Sequence, residues 1–256
     1  MIFDTHAHYD DEAFDEDRDS LLQSLTENGI LRTVNVSSSV SSNETTLQIA
    51  EQWPFVYAAF GVHPSNTAEL TEENFGRIEE LVDHPKCVAV GEIGLDYHYD
   101  EPSRDLQKKW FAAQIQLAKE KGKPVIIHSR DAAQDTCDLM KAEQAKDCGG
   151  VVHCFSYSKE MARLFVRMGF YIGVGGVVTF KNARVLKEVV EDIPLEYIVL
   201  ETDCPYLAPV PFRGKRNSSL HLPLVVEKIA QIKGITTQEV EEITWQNALR
   251  LYRMKE

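Results

Sequence analysis

The chain has 256 residues, 43 % of them hydrophobic, and carries a formal net charge of −13. This length and apolar content predict a packed core, and the acidic charge argues against a broad basic face that would hold duplex DNA. No apolar run reaches the roughly 20 residues that a membrane span needs. Asp4 and His6 come too early for a signal peptide, so we expect a cytoplasmic protein that does not bind membranes.

The five cysteines argue against two kinds of cysteine-based site. Their number is odd and no Cys-x-x-Cys occurs. An odd count does not suit a disulfide framework, and the missing spacing does not suit a structural zinc site made of thiolates. We therefore expect free thiols.

Short runs that are β-branched or continuously apolar alternate with longer amphipathic segments along the chain. Runs of this kind are typical of parallel strands that are buried on both faces. We predict eight strands, at residues 2–4, 33–36, 55–60, 88–91, 125–128, 150–153, 171–173 and 198–201.

The segments between and after these runs have helical periodicity and recognisable ends. Asn28-Gly29 predicts a C-terminal stop, whereas Ser41-x-x-Glu44 and Thr236-x-x-Glu239 predict capping boxes. We predict helices at 16–28, 43–52, 71–82, 103–121, 131–141, 158–168, 182–191, 222–232 and 236–252. Strands that alternate with helices, without a flexible linker, predict a (β/α)8 TIM barrel, and residues 1–256 are expected to form a single domain.

Side chains that can bind metals come at the C-terminal ends of the predicted strands. In a barrel these ends meet at one mouth, where the active sites of this architecture lie. A lone histidine is more often a surface or core residue, but repeated placement at the same end of successive strands indicates a site. The residues are His6, His8, Glu92, His128, His153, Glu201 and Asp203.

Four histidines with Glu92 and Asp203 form a ligand set that is too rich for one ion with open positions. The set suits two divalent cations that share the Glu92 carboxylate. Imidazole and carboxylate ligands permit Mg²⁺, Mn²⁺ or Zn²⁺, and the sequence does not choose among them. The remaining ligands divide into His6, His8 and Asp203 for one ion, and His128 and His153 for the other.

Two such cations can activate a water and stabilise both the attacking and the leaving oxygen in a phosphoryl transfer. Asp203 could then act as the general base. Glu201 is either a further ligand or a residue that orients a histidine. His63, at the end of strand 3, suits a proton donor or a substrate contact better than a ligand.

Several cations could hold a phosphate near this site. Arg130 follows strand 5, and Arg213, Lys215 and Arg216 lie in the loop after strand 8. Short basic loops are often plain solvated surface. The short distance from the loop to Asp203 makes phosphate binding an equal alternative.

The chain resembles the TatD family of metal-dependent deoxyribonucleases in a series of motifs. They are Asp4-Thr5-His6-Ala7-His8, Gly61-Val62-His63-Pro64, Gly91-Glu92-Ile93-Gly94-Leu95-Asp96, His128-Ser129-Arg130, His153-Cys154-Phe155, Glu201-Thr202-Asp203-Cys204-Pro205-Tyr206-Leu207 and Arg213-Gly214-Lys215-Arg216-Asn217. The resemblance implies a TIM-type barrel, a two-metal site with the ligands given above, and 3′-end exonuclease activity on single-stranded DNA, sometimes on RNA.

Two departures from the family pattern concern the substrate more than the chemistry. Family members commonly follow the Arg-Asn pair with Glu-Pro, whereas Ser218 and Ser219 stand here. Tyr157 stands where the strand 6 motif often has glycine. Both positions are expected at the rim of the site.

Two other functions remain open from the sequence. An amidohydrolase-like enzyme could hydrolyse a small ester, lactone or amide, although that group often has a lysine where Glu92 stands. The other candidate is a metal-dependent binding or scaffold protein without turnover. Asp203 argues against it, because a protein that only binds has no need of a general base beside open metal positions. No obligate protein partner is evident.

Overall fold

Eight parallel strands form one sheet in chain order in the computed structural model, which describes residues 1–255. A backbone bridge between Ala7 and Cys204 brings the first strand beside the end of the last, so the sheet is a nearly closed barrel. The predicted (β/α)8 fold is confirmed. The strands are β1 Ile2–Ala7, β2 Ile30–Val36, β3 Val56–Phe60, β4 Cys87–Asp96, β5 Val125–Arg130, β6 Gly150–Val152, β7 Phe170–Val174 and β8 Ile198–Leu200.

Helices connect successive strands and pack outside the barrel. Their apolar faces and the outward side chains of the strands form one large core. They are α1 Arg18–Leu25, α2 Val40–Gln52, α3 Glu72–Val82, α4 Arg104–Glu120, α5 Ala133–Ala142, α6 Lys159–Arg167, α7 Arg184–Asp192, α8 Leu222–Lys233 and α9 Thr237–Leu251.

The last helix packs against a second core. The Trp245 ring of α9 lies 5.8 Å from Phe3, near the start of β1, and Phe3 also contacts Tyr252. Ala248 and Leu249 join the same cluster. Since Phe3 lies at the N-terminal end of its strand, α9 covers that end and leaves the C-terminal mouth open.

Of the two predicted capping boxes, one is confirmed by the structure and the other is wrong. Thr236 caps α9 as expected, accepting a hydrogen bond from the Glu239 backbone N–H while the Glu239 carboxylate accepts from Thr236. The Ser41-x-x-Glu44 prediction is wrong, because α2 already begins at Val40 and is capped by Ser39. Glu44 lies inside the helix, where it pairs with Arg77 of α3 at 2.8 Å.

Several strands are longer than predicted, and two of them extend by three or more residues at their C-terminal ends. β1 continues to Ala7 and β4 continues to Asp96. His6 and Glu92 therefore lie inside strands and are almost fully buried, at 1 % and 3 % exposure. Polar side chains interrupt the hydrophobic pattern here because they point to the open end of the barrel.

The sequence predicted no segment that could span a membrane. Within residues 1–255, every helix is too short or too polar for that role.

Candidate metal centre

Glu92 lies between two pairs of histidines at the mouth of the barrel. Its Oε2 is 3.5 Å from His6 Nε2 and 3.7 Å from His8 Nε2. Its Oε1 is 2.7 Å from His128 Nδ1 and 2.5 Å from His153 Nε2. Each carboxylate oxygen thus faces a different pair, which is the arrangement expected of a carboxylate shared by two cations.

Asp203 completes the group around the first pair. Its Oδ1 lies 3.3 Å from His8 Nε2 and 3.7 Å from His6 Nε2. The backbone N–H of Asp203 donates to the His6 carbonyl at 3.0 Å, so the end of β8 is held beside the end of β1. One group of candidate metal ligands therefore comprises His6, His8 and Asp203.

The protonation of His8 shows why this donor set fits cations. His8 Nδ1 lies 2.7 Å from the carbonyl oxygen of Val36. A carbonyl cannot donate, so Nδ1 carries the hydrogen, and Nε2 of the neutral ring presents a lone pair. That lone pair faces His6 Nε2 at 3.0 Å and two carboxylates. Such a buried group of acceptors requires protons or metal ions between them, and imidazole with carboxylate suits divalent cations.

The carboxylates hold protons on three of the histidines, His8, His128 and His153, since burial opposes their charge but nearby carboxylates raise the pKa of each ring. Burial disfavours the charged ring of His8, but the hydrogen bond with Asp203 and the nearby carboxylates raise its pKa to about 10. Burial likewise opposes charge on His128, yet hydrogen bonds with Asp96 and Glu92 raise its pKa to about 9. A cation that binds any of these rings must displace its proton.

His6 behaves in the opposite way. Burial and the positive charge of His153 lower the pKa of His6 to about 4. Their rings stack with centroids 4.0 Å apart. His6 is therefore already neutral at pH 7 and ready to donate its lone pair.

Asp203 remains ionised at the surface of the cleft. Burial opposes its charge, but the His8 hydrogen bond and the surrounding imidazoles outweigh burial and lower the pKa of Asp203. Its side chain is 18 % exposed, more than any of the histidines around it. It is thus both close to the candidate ligands and accessible from the cleft.

Glu201 lies behind the histidines and is absent from the lining of the main cleft. Its Oε1 accepts from the Cys154 backbone N–H at 2.5 Å. Among residues 1–255, its Oε2 finds no hydrogen-bond partner, and neither do the Nδ1 atoms of His6 and His153. Glu201, His6 and His153 form a second candidate metal group. Burial raises the pKa of Glu201 to about 8.

His63 presents a donor to the cleft. Its Nδ1 accepts from the Ser65 backbone N–H at 3.1 Å, and burial lowers the pKa of His63 to about 3. The neutral ring must then carry its hydrogen on Nε2, which lies 3.8 Å from Glu92 Oε1. His63, Glu92 and His128 also form a candidate metal group.

Asp96 is a residue of the site to which the sequence argument gave no role. Its Oδ2 lies 3.2 Å from His128 Nε2, and the side chain is only 4 % exposed. The signal that could have identified it is its even spacing from Glu92 on one strand, since alternate residues share a face. Asp96 orients His128 so that Nδ1 faces Glu92.

Of the four predicted phosphate-binding cations, the structure places only Arg130 in the lining of the cleft. Arg130 lines an open cleft of about 820 Å³ above the histidines, together with His63 and Asp203. The three cations of the β8 loop lie outside that lining. Arg213 stacks on Phe180 at 4.4 Å.

Arg216 is committed elsewhere. It donates to both carboxylate oxygens of Asp17, at 2.7 and 2.6 Å, and to the Ala13 carbonyl at 2.7 Å. It thereby holds the β8 loop against the segment that precedes α1. Lys215 is an exposed residue of the same loop.

Comparisons with known proteins agree with this geometry. Residues 3–253 match the family described as TatD related DNase. The chain is 45 % identical over 254 residues to the uncharacterized metal-dependent hydrolase YabD of Bacillus subtilis strain 168, a match that covers 99 % of this chain and 100 % of that protein.

Solved structures of two relatives share the fold. The crystal structure of YjjV, a TatD homologue from Escherichia coli K12, has a TM-score of 0.93 and 30 % identity, covering 99 % of this chain and 98 % of that one. A TatD family hydrolase from Entamoeba histolytica has a TM-score of 0.90 and 25 % identity, covering 98 % and 97 %. The family match and the identity to YabD show that the chain belongs to the TatD family of metal-dependent hydrolases.

Proposed function

We propose that this hydrolase cleaves phosphodiester bonds in single-stranded nucleic acid, removing nucleotides from the 3′ end of DNA, with RNA as a second substrate. The position of Glu92 carries the proposal, because its two oxygens face two separate histidine pairs at the base of an open cleft. The description of the matching family as a DNase supports the same substrate class.

The residues would divide the work as follows. Two divalent cations, Mg²⁺, Mn²⁺ or Zn²⁺, would supply water activation and neutralise charge on the phosphodiester. Asp203, ionised and accessible, accepts the proton of the attacking water. His63 offers its Nε2–H to a phosphate or leaving-group oxygen, and Arg130 pairs with a non-bridging oxygen from the cleft wall. Glu201 accepts from the Cys154 backbone N–H and so holds the segment after β6 that carries His153.

The charge of the molecule favours a single strand over a duplex. With a net charge of −13, and with Arg130 alone of the proposed cations lining the cleft, phosphates are attracted only locally. A cleft of about 820 Å³ accommodates a few nucleotides of an end. We therefore favour exonuclease action.

The test compares the wild-type protein with Asp203→Asn on 3′-labelled single-stranded DNA in Mg²⁺ or Mn²⁺, after the bound metal has been measured. The substitution should lower the rate of nucleotide release by about 100-fold or more, because an amide cannot accept the proton. Asp147→Asn, an exposed change in the turn that precedes β6, is the matched control and should retain full activity.

Three results would change the interpretation. Wild-type rates in Asp203→Asn would exclude Asp203 as the base. Release of nucleotides without divalent cations would exclude the metal role. Turnover of small esters, lactones or amides, with no cleavage of DNA or RNA, would replace the proposal with an amidohydrolase-like function.

A further inference from the structure

Two exposed tyrosines stand at the rim of the cleft. Tyr99 is 60 % exposed and Tyr206 is 54 % exposed, and both line the cleft above the histidines. Tyr99 follows β4 and Tyr206 follows β8. Strands that are four apart in a ring of eight face each other across the barrel axis, so the two rings lie on opposite sides of the candidate metal centre.

Both rings are positioned by polar neighbours. The Tyr206 hydroxyl donates to Asp11 Oδ2 at 2.8 Å. Tyr99 contacts the His98 ring edge-on at 4.8 Å, and the Arg130 guanidinium lies 5.8 Å from its centroid. The Arg130 guanidinium lies over one face of the Tyr99 ring, and the other contacts hold ring edges, so most of the surface of each ring remains exposed to solvent. Large aromatic faces kept out of the core beside a polar site are suited to stacking with a ligand.

The charge distribution makes stacking important for a nucleic acid. Asp10, Asp11 and Asp203 also line this cleft, so a strand of phosphates meets anionic groups as well as Arg130. Away from the metal centre and Arg130, electrostatic attraction therefore contributes little to affinity. Stacking of a base on an aromatic ring raises affinity by roughly five- to 150-fold per base and tolerates any sequence.

We propose that Tyr99 and Tyr206 are stacking platforms for the two nucleobases that flank the scissile phosphodiester. The phosphate between those bases would then lie over Glu92 and Asp203, midway between the two rings. The inference rests on the proposed function, since it specifies how the same cleft holds its nucleic acid.

The experiment measures kcat and KM on a single-stranded oligonucleotide for Tyr99→Ala and Tyr206→Ala, beside the corresponding phenylalanine variants. Each alanine variant should raise KM at least fivefold and change kcat less than twofold, because binding is lost while the metal centre is intact. Each phenylalanine variant should keep the wild-type KM, because the ring is retained. Tyr197→Ala, which removes a 40 % exposed ring just before β8 at the other end of the barrel, is the matched control.

A second substrate separates stacking from general damage. An oligonucleotide with abasic residues at its two 3′-terminal positions has no bases to stack, so the alanine variants and the wild-type protein should share one KM on it. Added salt should change the ratio of variant to wild-type KM little, since stacking involves no released counterions.

Several outcomes overturn the inference. An unchanged KM in both alanine variants would exclude stacking, and an equal rise on the abasic substrate would assign the effect to a distorted cleft. Phenylalanine variants as impaired as the alanine variants would assign the role to the hydroxyl groups. Failure of the wild-type protein to release nucleotides at all would instead refute the proposed function, and the inference with it.

Discussion

Glu92 shows how surroundings determine the behaviour of a single side chain. Burial alone would raise the pKa of this carboxyl, yet the charge on His153 and hydrogen bonds from His128 and His153 hold the pKa well below its usual range. A buried carboxylate that stays ionised can accept from, or share a cation with, a different histidine pair through each of its two oxygens. This explains how one residue of β4 faces two groups of imidazoles.

Asp96 acts on the site through His128, and this leads to a prediction. Asp96→Asn should weaken metal binding on the His128 side by about 10- to 100-fold, because the amide no longer holds the ring by an ionic hydrogen bond. Competition titration with a chelating dye would measure the affinity. Asp100→Asn, an exposed change four residues later, should bind metal like the wild type.

Equal affinities in Asp96→Asn and the wild-type protein would show that His128 is positioned by Glu92 and packing alone. A folded variant with unchanged thermal stability is required for the comparison. Asp96 is buried at the end of β4, so circular dichroism should accompany the titration.

At the scale of elements, the ends of β1 and β8 build the site together. The buried carboxylate of Asp4 accepts from the Thr202 backbone and hydroxyl at 3.0 and 2.7 Å and from the Ser219 hydroxyl at 2.6 Å. Together with the bond from Asp203 to the His6 carbonyl, these contacts join the first and last strands. The closure of the barrel and the assembly of the candidate metal centre therefore depend on the same contacts.

The helix α9 offers a test of local stability away from the chemistry. Thr236→Ala removes the acceptor for the Glu239 N–H and should lower the free energy of unfolding by about 1 kcal/mol. In a chain of this size, that corresponds to a fall in Tm of about 2–4 °C. Thermal unfolding followed by circular dichroism would measure it.

The neighbouring residue is the control for this cap. Thr237→Ala makes the same chemical change inside the first turn, where the side chain is exposed, and should leave Tm nearly unchanged. Equal losses in both variants would show that the cap contributes nothing specific. Activity should be retained in both, because α9 packs at the end of the barrel opposite the cleft.

For the whole molecule, metal binding should depend on the closed barrel. The candidate ligands come from β1, β4, β5 and the segments after β1, β6 and β8, and only the folded chain brings them together. A divalent cation at about 100 times its Kd should therefore stabilise the fold by about 2.7 kcal/mol, or about 5–10 °C in Tm. EDTA should reverse the shift.

Two histidine variants test where that stabilisation arises. His8→Ala should lose most of the metal-dependent rise in Tm, because His8 faces both Asp203 and Glu92. His84→Ala, in the loop before β4 at the other end of the barrel, should keep it. An equal rise in both variants would place the bound metal elsewhere.

The same metal effect should grow with pH. In the metal-free protein, the pKa of His8 is raised to about 10, so its proton stabilises the fold below about pH 6.5 and this contribution is lost as the pH rises to about 10. A cation displaces that proton, so its affinity rises by up to about tenfold per pH unit for each proton displaced. The difference in Tm with and without metal should therefore be larger at pH 9 than at pH 7, and a smaller difference would contradict this linkage.

The sequence by itself determined the order of strands and helices and the convergence of the metal-type residues on one mouth. The order of elements follows from local patterns, because a buried strand is a run of consecutive apolar residues. The convergence follows because the C-terminal ends of parallel strands in a barrel lie at the same mouth. His6, His128 and Asp203, which lie far apart in the chain, were placed together by that argument alone. The predicted ranges of β1 and β4 were too short, because polar residues of the site interrupt the hydrophobic runs of these strands.

Only the tertiary structure decided which groups face the cleft and which oxygen faces which histidine. Arg216 resembles a phosphate-binding residue in sequence, but its long side chain reaches Asp17, which lies 199 positions earlier. The role of Asp96 likewise depends on the orientation of His128 on the neighbouring strand. Such pairings arise from packing between distant segments, and no spacing along the chain records them.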